Sequence, residues 1–544
     1  MIYHRYESLQ HNDSIRILAL HPSSSDLDPI LCTMQYARLS DPSLEYEAVS
    51  YTWGNATLTK TIQFNNGRES QIVGKNCHAA LRRLRLRDKD RLIWIDAICI
   101  NQEDIPERTC QVRMMDQIYS RAFNIAVYLG EHTAGSRLVF EELAAADEEL
   151  RQTGDCDRPY PSENIVQELE ILYQLPWFKR VWVLQEVCSK PSVTILCGSS
   201  SASFDTLRDL HFGYEQDYRV TNSVWPLPLE LIHRPLKRYS TPQFNLWNQL
   251  YASRSCLATD PRDKVFALKS LIGPAQSEME FLIDYTKTVE QCFVEVAKFL
   301  LPVLGLRILT AIRHRHKKDM PSWIPDWAQD LPLNFIYFEI LSWEESLNQP
   351  TRKLKPQDYQ KHEIRPIPVE KSENRLELLA TGCEYAHIED TSQVFLFHDI
   401  FDAKKQMEWL FSYLGHLAKT VENDRDMTHQ LGNRIVDVKL GQKEPIDNED
   451  AVAFFESLHQ CRISLMGNKE LAIVPACAER GDVVCILSGT DAPCVLRSGQ
   501  PENWTLISGD CYIFADSYID GNGWFLSDDF MLSRDQRAQQ FKIR

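Results

Sequence analysis

The sequence predicts an α/β protein: an N-terminal parallel sheet with helices on both faces, then a mainly helical region, then a C-terminal α+β region. Three observations predict it. Between residues 44 and 200, β-rich runs alternate with helix-period segments, the order that builds a parallel sheet through crossover helices. The run 92–100 is apolar almost throughout, as expected for a strand covered on both faces. Beyond residue 376, short β-rich runs separated by Gly and Pro turns accompany one helix-period stretch at 399–421.

At 544 residues the chain exceeds what one core ordinarily supports, so two or three domains are expected. Acidic residues outnumber basic ones, 76 to 59, for a net charge of −17. That balance gives no general attraction to nucleic acid or to an anionic membrane, and neither is expected as a partner. The basic run Arg313-His314-Arg315-His316-Lys317-Lys318 has no interleaved aromatics and reads as a solvated loop. The polar N-terminus lacks the apolar core of a secretory signal, and no stretch is long and apolar enough to span a bilayer. A cytoplasmic protein is expected. Fifteen cysteines, an odd number scattered through apolar segments, read as reduced core thiols. The absence of any C-x-x-C pair speaks against structural zinc, and neither a metal nor a cofactor is expected.

Residues 1–43 read as an N-terminal leader with a short amphipathic strand at 15–20. The first domain is placed at 44–200. Its first strand, 46–51, ends in the turn chemistry of Thr52-Trp53-Gly54-Asn55, and a hairpin with Asn66-Gly67 at its tip follows. Residues 76–86 read as a helix with Ala80, Leu81 and Leu84 on one face. After the 92–100 strand, Asp104-Ile105-Pro106-Glu107 carries a helix start: Asp as N-cap, Pro in the first turn, Glu at the capping-box position. Val112, Met115, Ile118, Tyr119 and Ala122 continue at helical spacing. A strand at 125–129 closed by Gly130, a compact helix at 177–190 and a strand at 193–197 complete the domain. A mainly helical accessory region at 201–350, a linker or excursion at 351–375 and an α+β region at 376–544 follow. In parallel sheets ligands gather beyond the carboxyl ends of the strands. Trp53-Gly54-Asn55, Asn101-Gln102-Glu103 and Glu131-His132 all fall there.

No Walker-type phosphate loop, G-x-G-x-x-G, H-E-x-x-H or G-x-S-x-G motif is present. Three other motifs are. The first is Tyr46-Glu47-Ala48-Val49-Ser50-Tyr51-Thr52-Trp53-Gly54. The second includes Trp94-Ile95-Asp96-Ala97-Ile98-Cys99-Ile100-Asn101-Gln102, Glu107-Arg108 and Val127-Tyr128-Leu129-Gly130. The third is Trp177-Phe178 with Arg180-Val181-Trp182-Val183-Leu184-Gln185-Glu186-Val187. Together, in this order, they resemble the fungal heterokaryon-incompatibility (HET) domain. Ala258 through Leu268, with Ile283-Asp284-Tyr285, resembles the segment that commonly follows that domain, and 481–487 with 493–497 resembles the usual C-terminal portion. The resemblance implies a role in non-self recognition, in which incompatible fusion leads to programmed cell death.

The order of elements is also similar to that of TIR domains, which are flavodoxin-like. The Trp182-Val183-Leu184-Gln185-Glu186 helix looks like the TIR helix whose glutamate is catalytic in NAD-cleaving members, with Val183 where TIR domains often have Cys. The resemblance implies Glu186 as catalytic residue, NAD(P) as substrate, and activation by self-association.

The chemistry of Glu186 can be stated independently. Its helix is apolar on most sides, so the carboxylate must be paired or protonated, and desolvation raises its pKa. Cleavage of nicotinamide from ribose develops positive charge at carbon, which a carboxylate stabilises. The plain alternative is an i,i+4 ion pair with Lys190 on an exposed face. Tyr51, Trp53, Asn101 and Arg180 are candidates to line a nucleotide pocket, with Trp53 stacking on a ring and Arg180 holding phosphate; packing roles, or for Arg180 a structural ion pair, are the alternatives. Asp96 reads as a satisfied structural acid bonded to backbone or to Arg108. Asp284 and the Trp323/Trp327 pair read as scaffold. A non-catalytic module that signals by assembling with itself or with a protein partner is the competing function.

Overall fold

Ten runs rich in β-branched and aromatic residues pair into one mixed sheet: β1 (Ile2–Tyr3), β2 (Ser14–Leu20), β3 (Leu31–Arg38), β4 (Glu47–Tyr51), β5 (Thr59–Phe64), β6 (Glu69–Gly74), β7 (Arg91–Trp94), β8 (Asn124–Gly130), β9 (Val193–Cys197) and β10 (Ser200–Ser203). Their order is β1-β6-β5-β3-β2-β7-β4-β8-β9-β10. This is a computed structural model, and it describes residues 2–55, 57–153, 163–187, 192–215, 241–272, 283–313, 320–329, 363–366, 376–394, 460–490, 492–499, 503–514 and 539–544. Two compact units divide the chain, Met1–Cys292 and Phe293–Arg544.

The centre of the first sheet is parallel. β4 pairs in parallel with β7 on one side and with β8 on the other, and β8 pairs in parallel with β9. In chain order these four lie second-first-third-fourth, the flavodoxin-type arrangement, whose ligand crevice lies beyond the carboxyl ends of the first and third strands. Here those ends are Tyr51 and Gly130. β4 is buried along its whole length. The expected α/β domain is therefore present, with helices α1 (Lys75–Leu84), α2 (Asp96–Cys99), α3 (Ile105–Arg113), α4 (Met115–Arg121), α5 (Ala134–Thr153), α6 (Glu163–Tyr173) and α7 (Trp182–Val187) between and after its strands.

Three local expectations need revision. β2, read as an amphipathic strand, is buried throughout, because antiparallel pairing with β3 and β7 places it inside the sheet. The 92–100 strand stops at Trp94, and Asp96 opens the short helix α2 instead of lying within a strand. The 177–190 helix is broken. A 3-10 turn, Pro176–Lys179, is followed by Arg180 in extended backbone (φ −80°, ψ 134°), then by α7. The break has a cause: Arg180 forms a parallel bridge with Leu257, whose carbonyl accepts from Val181 N at 3.0 Å.

The α3 start folds as expected, with the Asp104 side chain accepting from Glu107 N at 3.0 Å and Pro106 in the first turn. Glu107 does not close the capping box, however. Its carboxylate turns to Arg16 and to Asn101 N. Gly54 adopts φ +76°, and a Cβ there would lie 2.6 Å from Asn76 Nδ2, which donates to Thr52 O at 3.0 Å. Only glycine fits both constraints, so the turn after β4 depends on it.

In the second unit the long strand Leu376–Thr391 pairs with Glu363–Pro366, Cys461–Met466, Val483–Leu487 and Gln539–Ile543. Its core gathers Tyr385, Ile388, Met466, Val474, Val484 and Ile486. Trp323 and Trp327 are fully buried, as a scaffold role requires. Arg313 is buried 3.6 Å from Asp510 Oδ2, against the expectation of a solvated loop. The rest of that basic run, and the helix-period stretch 399–421, lie outside the described residues. All described cysteines are free thiols, and no described helix is long and apolar enough to cross a membrane.

Candidate functional site

At the carboxyl end of β4, one polar residue interrupts a buried strand. Ser50 is 1% exposed, and its hydroxyl donates to Glu186 Oε2 while accepting from the Trp177 indole at 2.7 Å. Glu186 itself is 2% exposed. Its other oxygen, Oε1, lies 3.7 Å from Arg180 Nη2. The exposed pair with Lys190 is therefore excluded as the state of Glu186, whose partners come from β4 and from the break before α7. Lys190 lies outside the described residues.

Arg180 is the hub. Its extended backbone separates the 3-10 turn from α7, and its Nη1 donates to the carbonyl of Tyr51. Asp96 is the second carboxylate within its field. Asp96 Oδ1 accepts from Ala97 N at 2.7 Å, and Oδ2 accepts from the Trp53 indole at 2.9 Å. Arg108, the partner anticipated for Asp96, instead stacks on the ring of Tyr285 at 3.9 Å. The Trp53 ring is 46% exposed. From inside outward the cluster runs Trp177, Ser50, Glu186, Arg180, Asp96, Trp53.

Burial pushes the Glu186 carboxyl above its ordinary range, against the pull of Arg180 and the Ser50 hydrogen bond, and Asp96 adds to the upward push. Asp96 is raised for the same first reason, with Arg180 and Trp53 opposing. For Arg180, burial works against the charge, but Glu186 and Asp96 outweigh it and hold the guanidinium above its usual pKa. Two carboxylates thus share one cation in a dry setting, and such pairs titrate together. Next to Glu186, Gln185 is 1% exposed and neither atom of its amide has a hydrogen-bond partner. A buried polar group left unpaired costs roughly 1–3 kcal/mol. Unsatisfied polar atoms and strained charge concentrate where a site is built for something other than stability.

The remaining expected residues are placed unequally. Trp53 and Arg180 join the Glu186 cluster. Tyr51 contributes its carbonyl, while its side chain is buried and hydrogen-bonds with Cys77; burial drives its phenol pKa well up. Asn101 stands at the entry to α3, where its N–H donates to Glu107 at 2.7 Å and its side chain accepts from Glu103 N at 3.3 Å. No hydrogen bond joins it to the cluster. Asp284 makes a local turn through Thr286. Sequence reasoning missed Ser50 as the partner of Glu186 and Trp177 as the donor to Ser50. The signal available was Ser50 itself, a hydroxyl between Val49 and Tyr51 in a strand that ends one residue later.

Chemically, the cluster offers a buried carboxylate, a hydroxyl that orients it, and a guanidinium shared with a second carboxylate. An aromatic face stands at the solvent edge. Residues 46–186, from the first residue of the β4 motif to Glu186, match the family model described as Heterokaryon incompatibility protein (HET). The chain is similar to Heterokaryon incompatibility protein 6, OR allele, of Neurospora crassa, 28% identical over 408 residues. That alignment covers 59% of this chain, and the chain spans only 59% of the length of that relative. No solved structure matches.

Proposed function

We propose, from the premise that residues 46–186 form a heterokaryon-incompatibility domain, that this chain acts in fungal non-self recognition inside the cell and promotes regulated cell death. Its domain does so by cleaving the N-glycosidic bond of NAD(P) when copies of the chain associate. The observation that carries this reading is Glu186: a buried carboxylate bonded to Ser50 near the carboxyl end of β4, on a helix similar to that of NAD-cleaving TIR domains.

In the resting arrangement Arg180 covers Glu186. Substrate pyrophosphate offers that guanidinium a stronger, bidentate anion, and Arg180 transfers to it. Trp53 stacks on a ring of the dinucleotide at the mouth. Glu186, released from its cation but still oriented by Ser50, then faces the ribose carbon as the bond to nicotinamide lengthens. Nicotinamide leaves as a neutral molecule with the bonding electron pair. Positive charge grows on the ribose, and the carboxylate stabilises it. Water adds to that carbon and loses a proton to solvent, leaving ADP-ribose.

The test is nicotinamide release from NAD⁺ by the purified full chain over a concentration series. Wild type is expected to release it increasingly as association sets in, and Glu186→Ala to lose at least about 100-fold. Equal release by both proteins removes Glu186 from the mechanism. The competing reading, a non-catalytic module that signals by assembly, is favoured by one observation: Glu186 is buried with both oxygens engaged, as a scaffold acid is. It predicts concentration-dependent association without nicotinamide release under any condition.

A further inference from the structure

The turn that carries Trp53 is held from the start of α1. Asn76, the second residue of that helix, turns its amide to the end of β4. Its Nδ2 donates to Thr52 O at 3.0 Å, and the same nitrogen lies 2.6 Å from where a Cβ on Gly54 would stand. One residue earlier, Lys75 N donates to Leu58 O at 2.8 Å. The turn is closed from within as well: Leu58 N donates to Asn55 O at 3.1 Å, and Thr57 N donates to Asn55 Oδ1 at 2.9 Å.

The Asn76 contact lies outside the helix's own hydrogen bonding. α1 opens at Gly74 with no side-chain cap, and asparagine is a poorer helix former than alanine. What the amide does is fix the residues on either side of Trp53, bonding the carbonyl before it and abutting the glycine after it. The Trp53 ring is 46% exposed, so packing alone does not set its direction. Its indole donates to Asp96 Oδ2 at 2.9 Å. Trp53 is thus held at its backbone from α1 and at its ring from α2.

We propose that Asn76 is a positioning residue for the Glu186 site: its amide holds the turn from Thr52 to Gly54 so that the Trp53 ring stands at the mouth with its indole on Asp96. The consequence for substrate rests on the proposed NAD(P) cleavage, but the hold on the turn does not. Asn76 touches no reacting group, and Glu186 keeps its contacts with Ser50 and Arg180 when the amide is removed. The loss is therefore felt in binding. A ring that swings off Asp96 is placed for stacking in only a fraction of molecules, and the apparent affinity falls by that fraction.

The experiment compares the full chain with Asn76→Ala and Asn76→Asp. The second is isosteric and sets a carboxylate oxygen against the Thr52 carbonyl, and an acid is tolerated in the first turn of a helix. Hydrogen exchange is followed at the Trp53 indole, assigned with Trp53→Phe, and at the Thr57 and Leu58 amides that close the turn. It is expected to rise about fivefold in both variants, as loss of one hydrogen bond requires. In Asn76→Ala the α1 amides stay level or exchange more slowly, because alanine favours the helix. The KM for NAD⁺ rises about fivefold with kcat within about twofold of wild type. Asn76→Asp carries the test if the alanine variant does not fold. Unchanged indole exchange in both variants overturns the proposal, and so does α1 loosening in step with the turn in Asn76→Ala, or a fall in kcat with KM unchanged. Raised indole exchange in a protein whose wild type releases no nicotinamide upholds the hold on Trp53 and rejects the NAD(P) reading.

Discussion

Two buried arginine–glutamate pairs stand in the same domain and are built in opposite ways. Arg16, fully buried in β2, meets Glu107 with two parallel contacts of 2.6 and 2.9 Å. It also donates to the carbonyls of Cys99 at 3.1 Å and Glu7 at 2.8 Å, and Glu107 accepts from Asn101 N at 2.7 Å. Arg180 meets Glu186 through one contact of 3.7 Å and has Asp96 as a rival carboxylate in its field. The first pair is bidentate and nearly saturated, the geometry that offsets desolvation. The second is loose and oversupplied with negative charge. Residue types are alike, and each pair has one fully buried partner, Arg16 in the first and Glu186 in the second. What separates scaffold from site is how the charge is met: two parallel contacts in the first pair, one contact of 3.7 Å and a rival carboxylate in the second.

The contrast breaks most visibly at Arg16. Arg16→Ala leaves Glu107 without its cation in a dry setting and is expected to cost roughly 3–5 kcal/mol in urea unfolding of the full chain. A loss under about 1 kcal/mol would place this pair with the exposed ones. Glu186→Gln probes the other pair and has a sign that depends on pH. The folded-state pKa of Glu186 lies above its unfolded value, so its contribution to stability is fully present below the unfolded pKa. That contribution is lost as pH rises through the folded pKa. Relative to wild type, Glu186→Gln should therefore gain stability as pH is raised from about 4 to about 8, by thermal unfolding in matched buffers. The opposite trend would mean that Arg180 satisfies Glu186 as fully as Arg16 satisfies Glu107.

Smaller effects sharpen the comparison. Asp104→Ala removes the α3 cap and should cost about 1 kcal/mol without changing nicotinamide release per folded molecule, since α3 belongs to the scaffold side. Trp53→Ala removes the indole donor to Asp96 and should cost about 1 kcal/mol. It should raise the KM for NAD⁺ several-fold, as loss of a ring contact worth about 1 kcal/mol requires. An unchanged KM would remove Trp53 from the pocket.

How much of this was legible in the sequence follows from what each feature depends on. The runs at 46–51, 125–129 and 193–197 are strands because local apolar β-rich sequence and turn residues agree. The Asp104 cap and the Gly54 turn were readable for the same reason. β2 was read as a strand but not as a central one, because its partners β3 and β7 are chosen by long-range antiparallel pairing that leaves no local mark. Its one clue is Arg16, a charge in an apolar strand that had to find a buried partner. The continuous helix expected at 177–190 was wrong at Arg180 because Leu257, far along the chain, claims that backbone. Glu186 was legible as a carboxylate on an apolar helix. Its convergence with Ser50, Arg180, Asp96 and Trp53 was not, since it depends on two strand ends and a helix break coming together.

The central claim is that the Arg180–Glu186 pair is the reaction centre. It is tested most directly by nicotinamide release from NAD⁺ by Glu186→Gln at a concentration where unfolding shows it as folded as wild type. The account predicts that release drops by at least about 100-fold while association is retained. Release within about twofold of wild type contradicts it.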